Sequence, residues 1–228
     1  MAKLMERDAT GRTTLLTGVR ASFAETLQVA KAPKNSAPGT RETHGVNLLI
    51  ERDSKDFEKN CEIIKLALRA AAREGKRKED WWEDLFQNDP KQLSFRKGER
   101  FKDKDGNVYK GYEGNLVVIA KGPKGGQNRP RVMDRHKRDV EVSDINDVVY
   151  NGTYCDAVVS WYFTDNGGTP RLTCSVEAIR SHQEGERLGG GGVYVDADDF
   201  DDIEGDDDGF ESSSSQSSSS ASSSSLIL

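Results

Sequence analysis

The sequence predicts a mainly β protein: a small antiparallel barrel with one amphipathic α-helix packed on it and an acidic tail. Three observations predict this. Short apolar runs separated by turn residues recur without a regular strand–helix alternation, an Asn-Gly pair lies between two alternating runs, and one segment alone carries a long helical stripe. No repeat of solenoid period interrupts the pattern.

Residues 1–12 are polar and expected to fray. Residues 13–19 and 23–29, rich in Thr, Val and Leu, read as strands, and the Pro/Gly/Ser stretch 34–41 as a loop. The apolar run 45–50 has strand length. Asp53 or Ser54 can cap a helix whose apolar residues Phe57, Cys61, Ile64, Leu68 and Ala71 fall on one face, with Gly75 suited to its end. A shorter helical piece, 79–86, holds Trp81 and Trp82, of which only one can face a core because adjacent helical residues diverge. After Pro90 come turns at Lys97-Gly98 and Asp105-Gly106, then a strand over 108–120 whose apolar end is an inner strand, then a Gly-rich basic loop over 121–130. Residues 148–163 and 170–179 flank Asn166-Gly167, a strong local hairpin signal. A two-residue turn there sets Trp161 opposite Leu172 and Tyr162 opposite Arg171. Trp161, Ala157, Val159, Phe163, Cys174 and Val176 then share a core face, while Ser160, Tyr162, Arg171 and Thr173 share the other.

Charge divides the chain. It holds 33 basic and 39 acidic residues with a mean hydropathy of −0.74, but residues 196–228 carry ten carboxylates, no Lys or Arg, and a Ser-rich run. That composition predicts a disordered tail. The preceding 195 residues keep 33 basic against 29 acidic, a net of +4, and residues 91–138 alone carry 14 basic against five acidic. Such a stretch is the footprint of a phosphate-binding surface. Three cysteines without short spacing, Cys61, Cys155 and Cys174, suit buried thiols in a reducing compartment, and the absence of a long apolar run suits a cytoplasmic location.

Binding a flexible strand calls for cations along a groove and flat faces for bases. Lys97, Arg100, Lys102, Lys104 and Lys110 surround Phe101, Tyr109 and Tyr112; Lys121, Lys124, Arg129 and Arg131 follow, and Tyr162 with Arg171 offers a further stacking pair. Against this, any one cation is more commonly a solvated charge, either tyrosine can be an ordinary packed residue, and Trp161 belongs in a core. The histidines His44, His136 and His182 lie apart, and no nucleophile or phosphate-loop motif accompanies them, so the reading is non-enzymatic with no cofactor. Asp134 and Asp139 beside His136 read as counter-charges to Arg135, Lys137 and Arg138 rather than as a metal site. In the tail, Asp199, Phe200, Asp201, Asp202, Asp206, Asp207, Asp208 and Phe210 resemble nucleic acid in charge while offering apolar handles to a protein; a merely solubilising tail is the bland alternative.

Tyr109-Lys110-Gly111-Tyr112 leading into LVVIAKGPKG, then PRVMDR, YNGTYCDAVVSWYFTDNGGTPRLTCSVEAI, GERLGGG and an Asp-rich end with DDFDDI resemble the bacteriophage single-stranded DNA-binding proteins with an acidic tail, over roughly residues 10–210. The resemblance implies an OB fold, a five-stranded barrel that coats single-stranded DNA in phage replication, recombination and repair. It further implies a tail that restrains binding and contacts replication partners, with Tyr109, Lys110 and Tyr112 beside the groove. The Ser-rich extension ending Leu226-Ile227-Leu228 departs from the family pattern. The expected organisation is a flexible stretch 1–12, a binding domain 13–188 and a tail 189–228, acting in the host cytoplasm without a membrane, with a homodimer left open. The rivals are a DNA-mimicking inhibitor of a host DNA-binding protein and a nuclease or recombination enzyme.

Overall fold

The computed structural model describes residues 1–6, 8–32, 36–166 and 168–189. Met1–Gly191 gathers into one unit and Gly192–Leu228 into a second, and the architecture belongs to the first. The tail residues Asp199 to Phe210 named above, and Gly167 of the expected turn, lie outside the described residues.

Eight strands occur among the described residues: β1 (Lys3–Leu4), β2 (Thr13–Ser22), β3 (Gly45–Ile50), β4 (Phe95–Lys97), β5 (Leu116–Lys121), β6 (Arg131–Met133), β7 (Tyr154–Asn166) and β8 (Thr169–Gln183). Five of them form a ring, β2–β3–β5–β8–β7 and back to β2, with β1, β4 and β6 added along β2, β5 and β8. The expected all-antiparallel arrangement needs correction at the seam. There β5 meets β8 in parallel through a single bridge between Lys121 and Ser175, and β6 also runs parallel to β8. A ring of five strands cannot close with antiparallel neighbours throughout, because an odd number of direction reversals leaves two neighbours pointing the same way.

Leu16, Leu48, Val118, Ala157, Trp161, Leu172, Cys174 and Val176 fill the inside of the ring. Over it lies α2 (Phe57–Glu74), with Cys61, Ile64, Leu68 and Ala71 buried as the stripe requires and Gly75 at its end. The helix starts later than the predicted caps: Ser54 instead accepts a hydrogen bond from the Asp56 N–H at 3.2 Å. Among the described residues four shorter α-helical segments accompany it, so the expectation of one packed helix is too few: α1 (Glu25–Gln28), α3 (Trp81–Gln87), α4 (Pro123–Gly126) and α5 (Ile145–Val148). In α3, Trp82 is buried and Trp81 lies half-buried between Arg77 and Phe163.

Two predicted strands fail for local reasons. In 23–29, Phe23 takes a φ of 55° and ends β2, and Ala24 and Leu27, both buried, then follow at helical spacing into α1. In 108–120 only β5 is a strand, because Gly111 and Gly114 take φ of 81° and 74° and turn the chain repeatedly before it. The hairpin forms, but two residues out of the predicted register. Trp161 faces Cys174, Tyr162 faces Thr173 and Thr164 faces Arg171. A two-residue shift preserves side-chain parity, so the two faces keep their predicted membership.

Curling the ring requires bulges, and their freed backbone groups need partners. Between Leu16 and Val19, β2 carries an extra residue against β7. Asn60, buried in α2, answers there: its Oδ1 accepts from the Thr17 N–H at 3.1 Å and its Nδ2 donates to the Thr17 carbonyl at 2.9 Å. Asp156 accepts from the Gly18 N–H at 3.2 Å and pairs with Arg180, with His182 at 3.5 Å. Burial works to raise the Asp156 carboxyl, but the Arg180 hydrogen bond, the Gly18 N–H and the nearby positive charges outweigh it and hold it below the usual range.

The body ends in an anchored stretch. Tyr150 donates to the Gly185 carbonyl at 3.0 Å, Arg20 donates to the Glu186 carbonyl at 2.5 Å, and the Leu188 N–H bonds Asn151 at 2.9 Å. Leu188 itself is buried in a second cluster with Leu49, Tyr112 and Val117, against which Phe23, Phe101, Val108 and Tyr109 pack. All three cysteines are free and buried, and burial pushes the Cys61 thiol up to about 11.

Asn60→Ala leaves the Thr17 N–H and carbonyl without their partner inside the protein. Urea denaturation should show a loss of about 2–3 kcal/mol, more than an exposed helix substitution costs.

Candidate nucleic-acid interface

The outward face of the β7–β8 hairpin is polar by strand alternation, and its position at the ring seam turns it into a cleft. Ser160, Tyr162 and Thr164 from β7, Arg171, Thr173 and Ser175 from β8, and Ile119 and Lys121 from β5 line a hollow of about 640 Å³, completed by Ser94, Lys124, Gly125, Cys174 and Glu177. Ser94 bridges the strands that fail to pair there: its carbonyl accepts from the Ile119 N–H at 2.8 Å and its N–H donates to Leu172 at 2.9 Å.

Lys124 reaches the cleft from a tight turn rather than from a regular helix. Lys124 and Gly125 have φ of 53° and 67°, and the turn is tied to His44, the residue before β3, by a Gly122 N–H to His44 carbonyl bond and a His44 N–H to Gly126 carbonyl bond, each 2.9 Å. Gly126 must be glycine here, since its φ is 89° and a Cβ would lie 2.5 Å from the Thr43 side chain. The turn thereby holds an exposed ammonium at the hollow that Lys121 also lines.

Lys121, Lys124 and Arg171 thus converge with one aromatic ring, Tyr162, which is half-buried. Burial, and secondarily the neighbouring Arg171, lowers the Arg96 guanidinium, which marks a fourth cation close to the cleft. Cations gathered with an aromatic face in an open hollow can hold phosphates and stack a base. Four of the predicted residues meet in this one place.

The others lie elsewhere. Tyr112 is only 1% exposed; its hydroxyl donates to Ser22 and accepts from Asn47, each at 3.0 Å, which leaves no ring face for a base and corrects its reading as a contact. Tyr109 packs edge-on against Phe23 at 5.6 Å and at a tilt against Tyr112 at 5.8 Å. Arg129 spends its guanidinium on the Leu27 and Gln28 carbonyls at the end of α1, at 3.0 and 2.8 Å, which makes it a structural cap. Arg131 holds Asp139 through two bonds of 2.6 and 3.0 Å, and Lys110 pairs with Glu186 at 2.6 Å. Arg100, Lys102 and Lys104 are exposed on the stretch before Tyr109, and Lys97 sits over Phe86 in a separate cavity of about 970 Å³ with Arg52, Lys65 and Arg69. Asp134 pairs with Arg138 as expected, whereas Asp139 pairs with Arg131.

Sequence reasoning missed Ser94 and Ile119, which no local pattern marks, and Glu177, Thr164 and Ser175, which simple extension of the hairpin alternation reaches. No helix among the described residues is long and apolar enough to cross a membrane.

Residues 13–210 match the family described as Enterobacter phage Enc34, ssDNA-binding protein. Among solved structures, the fold is similar to that of the single-stranded DNA-binding protein from bacteriophage Enc34 in complex with ssDNA. The identity is 17% and the TM-score 0.61, over 78% of this chain and 90% of that one. The C-terminal truncation of the same phage protein gives 18% identity and a TM-score of 0.61 over 82% and 91%. No curated protein matches the chain. The architecture is accordingly mainly β and OB-like.

Tyr112→Phe deletes a buried hydroxyl that serves Ser22 and Asn47. The expected cost is about 1–2 kcal/mol in urea denaturation, whereas Lys121→Ala and Arg171→Ala, on exposed residues, should leave the midpoint nearly unchanged.

Proposed function

This chain belongs to the family of the Enterobacter phage Enc34 single-stranded DNA-binding protein, and from that premise we propose that it coats single-stranded DNA, with little sequence preference, through the cleft at the β7–β8 hairpin. The observation that carries the reading is the convergence of Lys121, Lys124 and Arg171 around Tyr162 in one open hollow. The cations replace counterions along the phosphates and the ring supplies a stacking face. In this reading the five-membered ring serves as an OB-type barrel, residues 13–188 are the binding domain, and the protein performs no catalysis. It protects DNA during phage replication, recombination and repair in the host cytoplasm.

The solvated cations outside the cleft, Lys97, Arg100, Lys102 and Lys104, supply long-range attraction rather than the bound geometry. Residues 189–228 act as a tethered competitor. Ten carboxylates without a balancing cation in 196–228, linked to a body of net +4, are attracted to the same cations as DNA at high effective concentration. When DNA displaces the tail, Phe200 and Phe210 among the Asp residues become handles for replication or recombination proteins.

Titrating oligo-dT at several salt concentrations, by quenching of intrinsic fluorescence, tests the cleft. Replacing Lys121, Lys124 and Arg171 together by Ala should weaken binding and reduce the slope of log affinity against log salt by about 2, as expected for three lost phosphate contacts to a single strand. Tyr162→Ala should cost about 1–3 kcal/mol of binding. An unaltered slope in the triple variant would remove the cleft from consideration. Deleting residues 196–228 should raise affinity at low salt, and that gain should fade as salt screens the tail.

A further inference from the structure

Glu177 is the one carboxylate among the described residues lining the cleft, and it stands among three cations without an ion pair to any of them. In a hollow that holds phosphates this charge is unfavourable, since it repels the ligand's backbone. Its placement is nevertheless specific. Val159 pairs with Val176 and Val158 with Ala178, so Glu177 is the extra residue of a bulge in β8, without a partner across the hairpin. The bulge lets Val176 and Ile179 both enter the core, three positions apart on a strand whose inward residues Leu172, Cys174 and Val176 otherwise fall two apart. Bulges re-aim a side chain and recur beside functional sites. Ser175, itself 5% exposed, donates its hydroxyl to Glu177 Oε1 at 2.8 Å and fixes the carboxylate. Tyr162 senses this charge: burial first, then Cys174 and Glu177, push its phenol up.

We infer that Glu177 reads the hydrogen-bond-donor edge of a base stacked on Tyr162, and so gives the cleft a modest preference for guanine at that position. The inference rests on the cleft being the DNA-binding site. An ionised carboxylate only accepts hydrogen bonds. Guanine presents two adjacent donors, N1–H and the N2 amino group, which match the two carboxylate oxygens. Adenine and cytosine present one amino donor next to a ring nitrogen that is an acceptor. Thymine presents one N–H between two carbonyls, both of which face the carboxylate unfavourably. The same charge repels phosphates, so it favours a bound strand that keeps its backbone on the cations and turns a base toward Glu177. Ser175 keeps one carboxylate oxygen in place while leaving it a second lone pair and the other oxygen free.

The test compares two oligonucleotides of guanine-thymine-thymine repeats, identical except that inosine, which lacks the N2 amino group, replaces every guanine. The full-length protein should bind the guanine form about tenfold more tightly by fluorescence anisotropy, as expected for one net hydrogen bond to a charged acceptor. Glu177→Gln, nearly isosteric, should abolish most of that ratio and bind the inosine form as well as or better than the parent, since it no longer repels phosphate. Equal affinity of the parent for both oligonucleotides, or an undiminished ratio in E177Q, overturns the inference. The triple variant of Lys121, Lys124 and Arg171 separates the two failures. If it weakens both oligonucleotides while E177Q leaves the ratio intact, the cleft stands and the base-reading role of Glu177 falls. If it weakens neither, the cleft itself is wrong.

Discussion

Closure of five strands into a ring forces one parallel contact, and in this protein that contact is reduced to a single bridge between Lys121 and Ser175. On one side of the seam β5 is committed to β3 and β4; on the other β8 is committed to β7. Between them Ser94 relays the backbone hydrogen bonds that the two strands cannot give each other directly. A seam this short keeps the main chain satisfied while its side chains splay apart, so the outward residues of β5 and of the hairpin border a hollow instead of packing into a continuous sheet. Site and fold therefore share one cause: the same odd strand number that breaks the antiparallel pattern opens the cleft.

The second consequence of closure is curvature, and two of the bulges that supply it are served by particular side chains. Asn60 crosses from α2 to serve Thr17, Asp156 serves Gly18, and Ser175 steadies Glu177. The first two fasten the helix and β7 to β2, where an unpaired buried backbone group would be costly. The third lies in the cleft. Local strain relief in this ring thus runs from the buried helix side to the open cleft at the seam.

Much of the architecture was legible in the sequence because it follows from periodicity. The stripe Phe57, Cys61, Ile64, Leu68, Ala71 located α2, and alternation sorted Trp161 from Tyr162 correctly even though the turn was placed two residues away, since a shift of two leaves every side chain on its face. Periodicity failed where glycine or a left-handed residue redirected the chain, at Phe23, Gly111 and Gly114. The site was half legible. Counting cations along the chain found the basic stretch, but charge composition does not say which cation meets a partner from a distant segment. Arg129 finds carbonyls of α1, Lys110 finds Glu186 and Arg131 finds Asp139, while Lys121, Lys124 and Arg171 meet one another in the hollow. Tyr112 shows the same limit for aromatics, because a tyrosine flanked by lysines in sequence became the hydrogen-bonded centre of a small buried cluster.

Leu188 gives the boundary between body and tail a mechanical meaning. Its side chain is wedged against Gly111, where a Cβ would come within 2.7 Å of it, and Gly185 and Glu186 before it are held by Tyr150 and Arg20. Tension applied to the chain beyond this point is borne by a packed plug and several hydrogen bonds acting together, not by the last strand of the ring. Displacing Leu188 would open the cluster it shares with Leu49, Tyr112 and Val117, so this residue works as a plug at the end of the body, set off from the ladder of β8.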